Sequence, residues 1–284
     1  MKHLNKPIMD VNEIVIECAE SYQDEDLKKR LENSAEYIKD QSEEYDFLAE
    51  KGLWESFETH EIVNGILDKS EMKSLYTDKF AKKTNVKEKY YDKIMVAANG
   101  KCPICGIGQT SNLDHYLAKS LYPTYSVTPV NLIPICRDCN TVKSNSKISC
   151  NINAPFHPYY DDIDSFIWLK AELELITDNI VVNYYINEDL MAEEAWLYQR
   201  LCNHLSLYKL PHVYSIHASE YIAEHQQMWT TLLMSCGEEE LKKNLKDCLV
   251  SYERVQKNTW KTALLRSIIE NMCILLEFLS KKEI

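Results

Sequence analysis

Two Cys-x-x-Cys pairs, Cys102-Pro103-Ile104-Cys105 and Cys136-Arg137-Asp138-Cys139, stand 30 residues apart in a chain of 284. They constrain the fold more than any other feature. Two such turns can bring four thiolates into a closed tetrahedron, the arrangement of structural zinc sites. A redox pair would need only one of the two turns and a thioredoxin-like setting. The spacing therefore predicts Zn2+ held by Cys102, Cys105, Cys136 and Cys139, with no open coordination position. Apparent binding energies of about 10–16 kcal/mol allow such a site to hold together a segment with little core. The surrounding segment has that character: six of the eight prolines and three of the six glycines fall between residues 100 and 158. The other six cysteines are scattered and are expected to be buried thiols on apolar helix faces.

The net charge of −12 argues against a general binder of nucleic acid or anionic membrane. Resolved along the chain, it divides into three parts. Residues 1–71 carry 8 basic and 19 acidic side chains, residues 72–149 carry 12 and 5, and residues 150–284 carry 12 and 20. A basic middle thus lies between two acidic arms. The N-terminus MKHLNKPIMD has no apolar run, and the apolar stretch 272–279 is short and contains Glu277. Neither predicts a leader or a membrane span, and ten cysteines without an export signal point to reduced thiols in the cytoplasm.

Scarce glycine favours helices over a turn-rich β fold. Leu27, Leu31, Ala35 and Ile38 have helical spacing in the first arm. A second helix is predicted from Val86 through Tyr90 to Ile94, ending at Asn99-Gly100. Residues 172–176 and 180–186 flank Thr177-Asp178-Asn179 and predict a β-hairpin. Leu241, Leu245, Cys248, Tyr252 and Val255 predict one late helix; Leu264, Ile268, Met272 and Leu275 predict another.

Between the cysteine pairs runs Leu113-Asp114-His115-Tyr116-Leu117-Ala118-Lys119, then a polar loop, then Val130-Asn131-Leu132-Ile133-Pro134; the second pair runs into Asn140-Thr141-Val142-Lys143. In order and spacing, residues 100–147 resemble the HNH nucleases of the ββα-metal fold. The resemblance implies a fold of α+β class, mainly helical, in which a zinc-stapled ββα-metal motif is embedded between helical arms, with an additional β-hairpin. Its divisions would be an acidic helical arm (1–71), a basic nuclease domain (72–165) and a hairpin-plus-helices region (166–284).

Hydrolysis of a phosphodiester needs a deprotonated water, a cation at the phosphate and charge relief for the leaving oxygen. His115 has the chemistry of a general base. Asp114 offers a hard oxygen suited to Mg2+ or Mn2+, and Asn140 a carbonyl oxygen as a second ligand. The resemblance implies one catalytic metal on Asp114 and Asn140, with Asn131 orienting His115 by a hydrogen bond. Asn140 stands where the name-giving pattern has His. Lys119 and Lys143 are candidate phosphate contacts, and His157, in the dense Phe156-His157-Pro158-Tyr159-Tyr160-Asp161 stretch, is a candidate substrate contact.

That stretch, and more weakly Asn258-Thr259-Trp260-Lys261, is similar to the HNH subunit of Septu-type anti-phage systems. The likeness implies an endonuclease acting on DNA in preference to RNA, with a protein partner, an ABC- or SMC-like ATPase, docking on the acidic arms, and with no membrane role. The competing expectation is a zinc-stapled module that binds nucleic acid or protein without chemistry.

Overall fold

The computed structural model describes residues 1–143 and 147–281; residues 144–146 of the HNH-like segment lie outside the described residues. Helix makes up 57% of the chain and strand 11%. The chain divides into two compact units, residues 2–162 and the residues from 163 onward together with Met1.

The first unit opens with α1 (Val11–Ala19) and α2 (Glu25–Glu50). Asp10 and Asp24 cap them, each carboxylate accepting from backbone N–H groups of the first turn. Leu31, Ala35 and Ile38 of α2 are buried, as their spacing predicts, and Leu27 is half-buried beside them. A short hairpin, β1 (Ile62–Val63) with β2 (Leu67–Asp68), leads into α3 (Lys69–Ser74). The chain then winds through a π-helical stretch (Leu75–Phe80), α4 (Thr84–Val86), a second π-helical stretch (Lys87–Tyr91) and α5 (Asp92–Val96). The second predicted helix thus exists with a π insertion, and its exit at Asn99 and Gly100 takes φ of 50° and 72°.

Next, β3 (Asn112–His115) pairs antiparallel with β4 (Leu132–Ile135), setting Asp114 opposite Ile133 and His115 opposite Leu132. α6 (Arg137–Val142) begins directly after Cys136. Ile14, Val15, Leu31 and Ile38 share one apolar cluster with Leu75, Phe80, Leu113 and Leu132. The acidic arm and the basic middle therefore have a common core. Burying these side chains contributes about 1.5–3 kcal/mol each relative to exposure.

In the second unit, β5 (Leu169–Ile176) and β6 (Asn179–Ile186) form the predicted hairpin, turning at Thr177 with φ of 58°. Ile180, Val182, Tyr184 and Ile186 alternate inward along β6. Six helices follow: α7 (Asp189–Glu193), α8 (Ala195–Leu207), α9 (Leu210–Cys236), α10 (Glu238–Glu253), α11 (Trp260–Glu270) and α12 (Met272–Ser280). The hairpin packs on α9 and α11.

Two predicted helices differ from expectation. α10 ends at Glu253, so Val255 lies beyond it and is exposed. The stripe from Leu264 to Leu275 is split at Asn271, whose φ of −119° and ψ of 49° leave the helical region. The Asn258-Thr259-Trp260-Lys261 stretch has local structural roles. Asn258 is buried; its side chain accepts from the Trp168 and Leu169 amides and donates to Asp164 and the Phe166 carbonyl, while Thr259 caps α11. Of the six scattered cysteines only Cys18 is fully buried; Cys236 and Cys273 are exposed and the rest are half-buried. No helix among the described residues is long and apolar enough to cross a membrane.

Candidate metal centre and adjoining acid–base cluster

The four cysteines of the two pairs come together as the spacing predicts. Their sulfurs all lie within 4.8 Å of one another and all four residues are buried. Cys105 Sγ and Cys136 Sγ are 3.9 Å apart, close to the edge of about 3.8 Å that metal–sulfur bonds of about 2.3 Å give a tetrahedron. Backbone amides second the sulfurs, Gly108 N–H to Cys105 Sγ (3.3 Å) and Cys139 N–H to Cys136 Sγ (3.5 Å). Gly106 supplies the left-handed turn of the first knuckle, φ 71°. Gly108 is needed for space: a Cβ there would lie 2.7 Å from Cys136 Cβ and 2.8 Å from its Sγ. Hydrogen bonds among the thiols, from Cys102 first, pull Cys105 far down and bring Cys136 to about 7. Hydrogen bonds to the other thiols, from Cys105 first for Cys102 and from Cys102 first for Cys139, push these two up. Four thiolates this close require a cation, and the donor set fits zinc.

Asp114 and His115 stand at the end of β3, one register step from the loop that joins β3 to β4. His115 is 3% exposed, and its Nε2 donates to the Ser126 carbonyl at 2.8 Å. A carbonyl only accepts, so Nδ1 keeps the lone pair. Burial pushes its pKa down to about 3, with the nearby Lys119 charge adding to the effect. The imidazole is therefore neutral, the form a base requires. The Tyr76 ring packs edge-on against it, centroids 4.3 Å apart, while the Tyr76 hydroxyl donates to the Leu113 carbonyl.

Asn131 does not perform the role expected of it. Its side chain makes no hydrogen bond to His115 among the described residues; the Ser126 carbonyl orients the imidazole. Asn131 is 0% exposed and clamps the loop. Its Oδ1 accepts from Leu117 N–H (2.7 Å) and the Tyr45 hydroxyl (3.2 Å), and its Nδ2 donates to the Leu117 (3.1 Å) and Tyr125 (3.0 Å) carbonyls. It thereby fixes the backbone just before Ser126. Tyr45 comes from α2, inside the acidic arm. Neither Ser126, acting through its backbone, nor Tyr45 was visible in the sequence pattern.

His157 is also corrected. It is 0% exposed and stacks flat on Trp54, centroids 5.3 Å apart, within a cluster that includes Tyr116 and Tyr160. Its Nδ1 accepts from Tyr159 N–H, and its Nε2 faces the Tyr45 hydroxyl at 3.5 Å. The Pro-bordered stretch is a core element that braces the Tyr45–Asn131 contact, with the imidazole buried inside it.

Lys143 Nζ lies 2.6 Å from Asp114 Oδ2 and also donates to the His115 carbonyl, with its side chain 12% exposed. It sits on a carboxylate rather than reaching free into solvent. Lys119 is half-buried, its Nζ 4.7 Å from the Tyr76 ring centroid. Burial lowers its pKa, the Asp114 charge opposes that, and Lys73 and Lys143 reinforce it. The Asn140 side chain, on α6, makes no hydrogen bond among the described residues, leaving its amide oxygen available. The upstream basic run is mostly engaged: Lys82 with Asp78, Lys87 with Asp92, and Lys89 with Glu13 and Glu17 of α1.

Over 238 residues the chain is 28% identical to Protein ea31 of Escherichia phage lambda, covering 79% of this chain and 78% of that protein. That name states no activity. Comparison with protein-family models and with solved structures gave no match.

Proposed function

We propose that the chain is a metal-dependent HNH endonuclease that hydrolyses phosphodiester bonds, with DNA preferred over RNA. The observation that carries this reading is the placement of Asp114 and neutral His115 together at the end of β3, beside β4 and the α6 helix that leaves the cysteine cluster. His115, with Nε2 committed to Ser126, presents Nδ1 to take a proton from water. The burial that keeps it neutral also opposes its protonation, so the negative charge of a bound phosphate is needed to offset that cost. Asp114 and Asn140 would hold Mg2+ or Mn2+, which supplies Lewis-acid stabilisation of the leaving oxygen. Lys119 supplies positive charge beside the same edge.

A specific observation favours the second reading, a binding module without chemistry: the ammonium of Lys143 already occupies the Asp114 carboxylate. Incubation with plasmid DNA and with total RNA, with Mg2+, Mn2+ or neither, separates the two. Cleavage that His115→Ala abolishes, with zinc content unchanged, is the expected result. Cleavage that survives His115→Ala removes His115 as the base.

The anti-phage reading adds an ATPase partner that docks on the acidic surface and delivers substrate within the cytoplasm. Its support is the strong segregation of charge along the chain and the likeness to Septu-type subunits. Co-elution with the product of the neighbouring gene is expected, and separate elution of the two counts against it.

A further inference from the structure

We propose that Lys143 is a resident cation that holds the Asp114 site closed, so that a divalent ion enters only by displacing its ammonium. The proposal deepens the nuclease reading of the same edge. It rests on that reading only for what the bound ion does afterwards.

Asp114 stands on β3 and Lys143 follows α6, 29 residues later. Lys143 Nζ is 2.6 Å from Asp114 Oδ2, donates to the His115 carbonyl and lies 5.7 Å from the Tyr116 ring centroid. One ammonium thus faces three successive residues. Its backbone is fixed too: Lys143 N–H donates to the Cys139 carbonyl (3.2 Å), which ties it to the cysteine cluster. The side chains of the pair are 12% and 22% exposed, against 71% and 53% for Lys82 and Asp78. Water therefore screens the Lys143–Asp114 pair far less than an ordinary surface pair. Of Asp114, His115 and Asn140, Asp114 alone brings a negative charge, so it supplies most of the attraction for a hard divalent ion. One carboxylate cannot serve two cations at full strength, because an ion joining an ammonium there meets its repulsion at close range. Entry of the ion thus requires the ammonium to leave. Lys143 lies past the end of α6 with φ −68° and ψ 125°, and its flexible four-carbon stem can swing the charge away without unwinding the helix. The displaced ammonium is then free for a phosphate oxygen.

The test measures Mn2+ binding by electron paramagnetic resonance on the full zinc-loaded chain, without nucleic acid. Lys143→Met and Lys143→Gln remove the charge and should each bind Mn2+ at least about fivefold more tightly than wild type, the lower end for coupling between two competing ligands. Lys143→Arg keeps a cation on the carboxylate and should stay near wild type. Adding Asp114→Asn to Lys143→Met should abolish the gain. Lys119→Met removes a charge that lies over the Tyr76 ring, outside ion-pair distance of Asp114, and should give a smaller gain. Unchanged or weaker binding by the Lys143 variants overturns the proposal, as does an equal gain in Lys119→Met, a gain that survives Asp114→Asn, or no Mn2+ binding by any chain. Tighter binding by Lys143→Met with no cleavage of plasmid DNA by any chain would keep the closed site and remove the nuclease reading. Cleavage by wild type with equal Mn2+ affinity in Lys143→Met would do the reverse.

Discussion

Replacing Asn131 by alanine should be among the most damaging single changes in the first unit. Asn131 is fully buried, and its amide satisfies four groups: Leu117 N–H, Leu117 C=O, Tyr125 C=O and the Tyr45 hydroxyl. All three partner residues are themselves buried, with Tyr45 and Leu117 at 0% and 1% exposure. A buried polar group left without a partner costs about 1–3 kcal/mol. Relaxation of the loop and entry of water into the vacated space reduce the simple sum, giving an expected loss of about 3–5 kcal/mol. Domains of this kind have a total stability of about 5–15 kcal/mol, so the loss is a large share. Because the chain has two units, the change is best read by urea unfolding combined with hydrogen exchange on peptides covering residues 116–131. Protection of the Leu117 amide should fall with the unfolding midpoint. Asn131→Asp keeps the shape but cannot donate to the two carbonyls, and should lose at least as much. A loss below about 1 kcal/mol with unchanged Leu117 protection would refute the clamp.

Two further outcomes follow from the site. Gly108→Ala drives a Cβ into Cys136 and should lower zinc affinity about 10–100-fold, measured by competition with a chromogenic chelator; wild-type affinity would remove the close approach as a constraint. For His115, burial holds the folded pKa at about 3 against about 6.5 in the unfolded chain, so the unfolded state takes up the proton first. Its contribution to stability is complete above about pH 6.5 and is lost as pH falls toward about 3. The melting temperature of His115→Gln should therefore fall less steeply between neutral and acidic pH than that of wild type; parallel profiles would contradict the buried neutral imidazole.

The cysteine cluster was legible because ligand spacing is a local property of the chain, and the β5–β6 hairpin because alternation and a polar turn are local too. Helix ends were less legible. Nothing in the apolar stripe of Leu264, Ile268 and Met272 announces the backbone break at Asn271, because the stripe continues across it. The roles of Asn131 and His157 failed for a different reason. Both are polar residues whose partners come from far along the chain, Tyr45 being 86 residues from Asn131 and 112 from His157. Residue type suggested an orienting bond to His115 for Asn131 and a substrate contact for His157, and burial turned both toward the core. The orienting acceptor for His115 is a backbone carbonyl, which any residue at position 126 would offer and no motif can mark.

The connection between β3 and β4 is unusual for a loop, since every residue from 122 to 131 is buried. A surface loop is where insertions, tags and sequence drift are tolerated. Here an insertion would have to displace core. Variation between relatives should therefore gather on the rim, around α3 and the short β1–β2 hairpin, while the length of this connection stays fixed. Engineered insertions are better placed on that rim, leaving the interval between the cysteine pairs at its present length.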